Sequence, residues 1–343
     1  FLDLTGDDLV DEVRTAGDEL PCEVMFVKAP GYDGDVHAGY ASMVVEVARK
    51  LDWKTPPSQP KAVSILGYLF DRYEGDHVGN LSQLRSLLKS LGLELGESLF
   101  SGAPWAELMR APKAATLLSF PYVRKAEKRL KKITKRDLVE VDLPMGIAGT
   151  SRWLGAVGQA AGVDSGRISA VIQHRETQTR EAIGLAQQRL QGQRVALFAD
   201  LPLLGGLCGI ARDLGLVPVL LGIRGHSLGG ADSLRDLVSR DNIDLDGVPI
   251  LEDPSIHGVR EAVTDLLLQE GVDGIIGSAT DFNGITTLPQ DAFPARRGPF
   301  KLEAGFPCKF HHVIRPSPFL GYAGVLTWAD RVLNAPRLWD SGR

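Results

Sequence analysis

From about residue 20 to about residue 280, short unbroken apolar runs alternate with longer stretches of helical period. The runs are EVMFV (23–27), AVSIL (62–66), AATLLSF (114–120), DLVEVDL (137–143), RVALFA (194–199), VPVLLG (217–222), VPILED (248–253) and DGIIGS (273–278). A strand covered on both faces reads as a continuous apolar run, and parallel strands need helical crossovers between them. The alternation therefore predicts an α/β fold with parallel sheets flanked by helices. Leu81, Leu84, Leu87, Leu88 and Leu91 form one helical stripe that Gly92 ends, and GVREAVTDLLLQEGV repeats the design with Gly271 as its stop. A longer helical stretch covers about 165–191.

The segment WKTPPSQPKA (53–62) carries three prolines and reads as a linker. With the long helix it divides the chain into three Rossmann-like units: 1–58, the incomplete remainder of a first unit, then 59–191 and 192–343. A net charge of −5 and a pI near 5.9 give no electrostatic ground for nucleic acid as the main partner. No apolar run reaches the length of a membrane span. The acidic opening FLDLTGDDLVDEV does not read as a signal peptide, and Phe1 in place of Met implies that further residues precede it. Three scattered cysteines, Cys22, Cys208 and Cys308, make no disulfide framework and fit a reducing cytoplasm. Cys22 is expected to open a buried strand and Cys208 to sit on a buried helix face. VRKAEKRLKKITKR (123–136) holds eight Lys or Arg and one Glu; Val123, Ala126, Leu130 and Ile133 form its buried stripe, so its charge is read as a solvated helix face.

Several clusters invite chemical readings. Cys308, His311 and His312 are metal-ligating types, but along a strand Cys308 and His312 would stand ~13 Å apart and His311 would face the other way. Metal ligands must converge to about 2.0–2.3 Å from one centre, so a structural loop is the simpler reading. Gly225-His226-Ser227-Leu228-Gly229 fits G-x-S-x-G, with Asp253 and then His257, His311 or His312 in chain order. The strand before it is expected to end at Gly222 or Ile223, too far ahead of the serine for a tight elbow, and Asp253 follows on the very next strand. DRYEGDH (71–77) reads as a polar loop. No Walker motif and no G-x-G-x-x-G occurs.

The order of motifs carries more than any one of them. TGDDLVDEV is followed by PGYDGDVHAGYASMV, by LLSFPYVRKAEKRLKKI leading to LPMGIAGTSRWLGAV, by RVALFAD, and by GFPCKFHHVIRPSPFLGYAGVLTWADRVLNA. This series resembles component 1 of the nitrogenase superfamily over essentially the whole chain, and its β-type subunit most. The resemblance implies an oxidoreductase subunit, not catalytic alone, that shares an iron–sulfur cluster, of [4Fe–4S] or P-cluster-like type, with an α-type partner. It implies an ATP-dependent iron–sulfur reductase as electron donor, an α2β2 assembly, and a place in nitrogen fixation or a related reduction. It makes the G-F-P…H-H…G-Y-x-G tail structural. It places Thr5, Gly6, Pro30, Gly31, Tyr32 and Gly34 in loops flanking the cluster, with one ligand thiolate falling just ahead of Phe1. Thr5 and Asp8 have the spacing of a capping box that would start the following helix, and Gly31 and Gly34 would let main chain approach an inorganic core. Gly31 stands where some nitrogenase β chains carry a serine ligand, a departure that counts against a full double cluster. In TLLSFPYVRKAEK, where α-type chains bear a cofactor cysteine, there is none. The resemblance leaves open a cofactor-assembly scaffold, a tetrapyrrole reductase subunit and a sulfur-compound reductase subunit. From other classes, a serine hydrolase at Ser227 and a metal-free ligand-binding protein remain.

Overall fold

The structure, a computed structural model, describes residues 9–22, 24–27, 34–69, 74–269, 271–285, 298–305, 307–309 and 314–336. Two parallel sheets form the body. The first has the order β2-β1-β3-β4, from β1 (Gln59–Leu66), β2 (Glu94–Ser98), β3 (Ala114–Ser119) and β4 (Val139–Glu140). The second has the order β7-β6-β5-β8-β9, from β5 (Arg194–Ala199), β6 (Val217–Ile223), β7 (Ile250–Glu252), β8 (Gly274–Gly277) and β9 (Phe300–Glu303). Every pairing is parallel, with Leu197 lying between Leu221 and Ile276 in the second sheet. Each sheet starts near its middle and then reverses direction, which opens a crevice at the carboxyl ends of its strands.

The central strands are the ones that apolar runs foretell. The edges differ. β2 (ELGES) has no apolar run and forms because β1 offers it a partner: the Ser64 hydroxyl accepts the Glu97 N–H at 3.1 Å where the register slips. β9 (FKLE) is a second edge strand without a continuous run. DLVEVDL shortens to Val139–Glu140. The expected strand at 23–27 is absent: residues 24–27 have no regular structure, and Cys22 is exposed rather than the start of a buried strand. The proline-rich linker ends early, since β1 already begins at Gln59 and Pro60 sits in its exposed opening. The polar loop read into DRYEGDH is, from Glu74 onward, the first turn of a helix reaching Ser90. Among the described residues, 1–58 contributes two helices, Leu9–Glu19 and Val36–Lys50, and no strand.

The helices Gly146–Ala160, Ser165–Leu190, Leu201–Leu214 and Gly321–Leu333 join the sheets into one core, in which Trp153 and Trp328 are buried. Asp213, at the end of one of these helices, accepts the Ile147 N–H at 2.6 Å at the start of another. Cys208 lies on the buried face of its helix, as expected. Val123, Ala126 and Leu130 are buried and Ile133 packs beside them. The basic face above them is partly neutralised, through Lys131 on Glu127 (2.6 Å) and Arg124 on Glu140 (2.6 Å).

Candidate functional site

Of the six residues expected to flank a cluster, Gly34 is described; Thr5, Gly6, Pro30, Gly31 and Tyr32, with Asp8, lie outside the described residues. A Cβ on Gly34 would come within 2.7 Å of the Ala38 Cβ, so the chain turns there with no room for a side chain. The next residue, Asp35, is the N-cap of the Val36–Lys50 helix. Its Oδ1 accepts the N–H groups of His37 (3.0 Å) and Ala38 (3.1 Å) and the Ser227 hydroxyl; its Oδ2 accepts the N–H groups of His226 and Ser227, both at 2.9 Å. Of the five donors on this carboxylate, two belong to the helix it caps and three bind it to the turn after β6. Burial pushes the Asp35 pKa up, but the hydrogen bonds from Ser227 and Ala38, with the His37 charge, outweigh it and hold the group well below the usual carboxylate range. Gly225, at φ +75°, meets this carboxylate so closely that a Cβ would lie 2.6 Å from Oδ2.

Behind the cap, His37 stacks on Tyr122 with ring centroids 5.7 Å apart. The Tyr122 hydroxyl donates to Asp200 Oδ1 at 3.0 Å, and the same oxygen caps the Leu201–Leu214 helix through the Leu203 N–H. Burial raises the Asp200 pKa against the lowering effect of His37 and these donors, and raises that of Tyr122 well above its ordinary value. Tyr40 donates to the Tyr68 carbonyl, and the Tyr68 hydroxyl lies 3.1 Å from His77 Nδ1. Tyr68, Tyr122, Asp200 and Ser227 follow β1, β3, β5 and β6, so the first turn of the Val36–Lys50 helix docks on the carboxyl ends of both sheets. Arg224, just after β6, is paired with Asp281 beyond β8, and Asp281 also accepts the N–H and hydroxyl of Ser278, each at 2.7 Å.

The other candidates separate. Ser227 is buried and gives its hydroxyl to a carboxylate, and the next helix starts only at Ala231; no nucleophile elbow forms. Asp253 accepts the Gly225 N–H at 3.1 Å, while His257 lies 3.1 Å from Glu261. His311 and His312 lie outside the described residues, and Cys308 is half-buried. Burial pushes the Cys208 thiol up to about 12, which removes the thiolate a metal needs. Among the described residues no three His, Cys, Asp or Glu side chains are grouped to hold a metal. The tail motif has evident structural uses. Gly321, at φ +70°, donates its N–H to the Pro144 carbonyl at 2.6 Å, Tyr322 shares a hydrogen bond with Ser151 at 2.8 Å, and a Cβ on Gly324 would lie 2.3 Å from the Phe319 carbonyl oxygen.

Sequence reasoning did not single out Asp35, His37, Tyr122 or Asp200. For Asp35 a signal existed: an Asp directly before an apolar helical stretch is a strong N-cap. The other three meet only in three dimensions.

The family model for nitrogenase component 1 type oxidoreductase matches residues 2–336. The chain is 23% identical over 350 residues to the nitrogenase iron-molybdenum cofactor biosynthesis protein NifE of Clostridium pasteurianum, covering 98% of this chain and 68% of that protein. It is 23% identical over 338 residues to the nitrogenase molybdenum-iron protein beta chain of Frankia alni, covering 91% and 60%. It is 27% identical over 170 residues to the light-independent protochlorophyllide reductase subunit N of Rubrivivax gelatinosus, covering 49% and 38%. The chain thus spans only part of the length of each of these relatives. Its fold is that of the structure titled nitrogenase Cp1 at pH 6.5, with a TM-score of 0.73 at 19% identity over 97% of this chain and 72% of the other.

Proposed function

We propose, from the premise that this chain belongs to the nitrogenase component 1 type oxidoreductases, that it is the β-type half of a nitrogenase-like reductase complex. In this role it braces an interfacial iron–sulfur cluster and passes electrons from an ATP-dependent reductase toward an α-type partner. One observation carries the choice of the β-type role. At the end of β3, where the α-type chains of the family would carry a cofactor cysteine, this chain places Phe120 and Tyr122, both buried, and Tyr122 is committed to Asp200. A substrate-reducing cofactor finds no cysteine ligand at that point.

The contribution of the described residues to a cluster is positional. The Asp35 carboxylate ties the start of the Val36–Lys50 helix, next to Gly34, to the second sheet. The cluster itself would supply one-electron transfer. A second reading, a cofactor-assembly scaffold, is favoured by the likeness to a cofactor biosynthesis protein over nearly the whole chain.

The test is anaerobic co-expression of the full-length protein with a candidate α-type chain and purification through a tag on this chain alone. A hetero-oligomer whose reductase activity needs ATP and the separate iron–sulfur protein is expected. A stable complex that turns over nothing and instead hands its metal to a second protein favours the scaffold. A monomer with no partner overturns both.

A further inference from the structure

Apart from the clamp, a cavity of about 370 Å³ opens where the two sheets meet, within the size range of small-molecule sites. Leu143, Met145, Leu201 and Leu237 give it an apolar floor. Its rim is charged. The Asp142 carboxylate stands among three guanidinium groups: Arg240 at 2.8 Å, Arg152 at 3.7 Å and Arg124 at 3.8 Å. Arg152 is also held by Asp241 and Arg124 by Glu140 at 2.6 Å. Arg152 and Asp142 belong to the first-sheet side, Arg240 and Asp241 to the second, so two opposed ion pairs cross the seam at the mouth of the cavity.

These groups are not equally committed. Arg152 and Arg124 each bridge two carboxylates. Arg240 is half exposed and spends one N–H of its fork on Asp142, which leaves donors with no partner among the described residues. Asp142 itself shows which chemistry three converging guanidiniums hold best: a carboxylate. The wall behind the charged rim includes Leu143, Met145, Leu228 and Leu237, an apolar surface that a free inorganic ion would leave uncovered.

We propose that this cavity is a binding site for a small amphipathic anion, an apolar body bearing one carboxylate or sulfonate. The anionic group lies against the free donors of Arg240 beside Asp142, and the apolar body lies on the Leu143–Met145–Leu237 floor. A ligand so placed touches both sheets and tightens the seam. This site goes beyond the electron-relay role and does not depend on it.

The test is a fluorescence titration of the purified full-length protein with anilinonaphthalene sulfonate, an aromatic anion of suitable size, with hexanoate and hexylammonium as competitors. Saturable binding is expected, displaced by hexanoate and not by hexylammonium. Arg240→Ala is expected to weaken it by about tenfold or more, the loss of a charge-assisted hydrogen bond. Ser233→Trp, a substitution at an exposed residue on the cavity wall, is expected to abolish it, both variants keeping the wild-type circular dichroism spectrum. Binding that neither substitution alters places the dye elsewhere and overturns the proposal, as does equal displacement by hexylammonium or no saturable binding at millimolar dye.

Discussion

At the scale of single residues, two aspartates a few side chains apart are tuned in opposite directions. Asp35 gathers five donors and its pKa falls; Asp200 is half-buried, and loss of solvent around its carboxyl raises its pKa. For Asp35, the folded state binds its proton more weakly than the unfolded chain does. Its stabilisation is therefore complete above the ordinary carboxylate pKa near ~3.9 and is lost as pH falls through that value and below. For Asp200 the sign reverses: the proton is held more tightly in the fold, and stability is lost as pH rises above the ordinary value. Asp35→Asn is expected to lower stability at pH 7 by about 1–3 kcal/mol, through the weakened cap and lost charge-assisted bonds. Its deficit against the wild type should shrink below about pH 4. Asp200→Asn keeps an acceptor oxygen for Tyr122 and Leu203 and is expected to be as stable as the wild type or more so at pH 7, with no such gain in acid. Urea denaturation of the three proteins at pH 7 and in acid checks both signs. The Asp35 carboxylate engages the Ser227 hydroxyl. An active-site phosphonate is expected to leave Ser227 unlabelled in the folded protein by peptide mass spectrometry, and stoichiometric labelling would restore the hydrolase reading.

At the scale of elements, glycine positions set how closely the pieces approach. Gly324 lies one turn into the Gly321–Leu333 helix, against the Phe319 carbonyl. Gly324→Ala has to displace main chain, and a loss of about 2–3 kcal/mol is expected in thermal or urea unfolding, as for other overpacked sites; a wild-type midpoint would contradict that packing. The same level shows why some elements were legible in the sequence and others were not. RVALFA is a central strand with neighbours on both sides, and its unbroken apolar run is the direct imprint of that burial. ELGES and FKLE are edge strands; each takes its conformation from one neighbour and writes no run of its own. EVMFV misleads for the converse reason. It has strand composition, yet Phe26 is exposed and no neighbour pairs with residues 24–27 among the described residues. Gly34 was expected to admit an inorganic core, and the close neighbour the structure shows there is Ala38 of the following helix; His226 and Ser227, bonded to Asp35, lie about 190 positions away, and nothing local announces them.

At the scale of the molecule, the last helix returns from the second sheet to pack against the helices of the first, and a buried ion pair locks it there. Arg331 is paired with Asp76 and lies 4.7 Å over the Phe319 ring. Arg331→Met removes the guanidinium that faces the buried Asp76 carboxylate and is expected to cost about 3–5 kcal/mol, while Asp76→Leu with Arg331→Met recovers much of that loss. Urea denaturation of the two variants tests this, and equal deficits would mean that packing rather than charge dominates the joint. That closure holds both sheets in one body, with their carboxyl ends turned to the helix that Asp35 caps. The proposed role requires that body to brace a shared inorganic centre. Iron and acid-labile sulfide, measured together on full-length protein purified anaerobically with its partner, address this requirement directly. Iron and sulfide in equal amounts, lost when the complex is dissociated, are expected; a colourless complex free of both would contradict the electron-relay role.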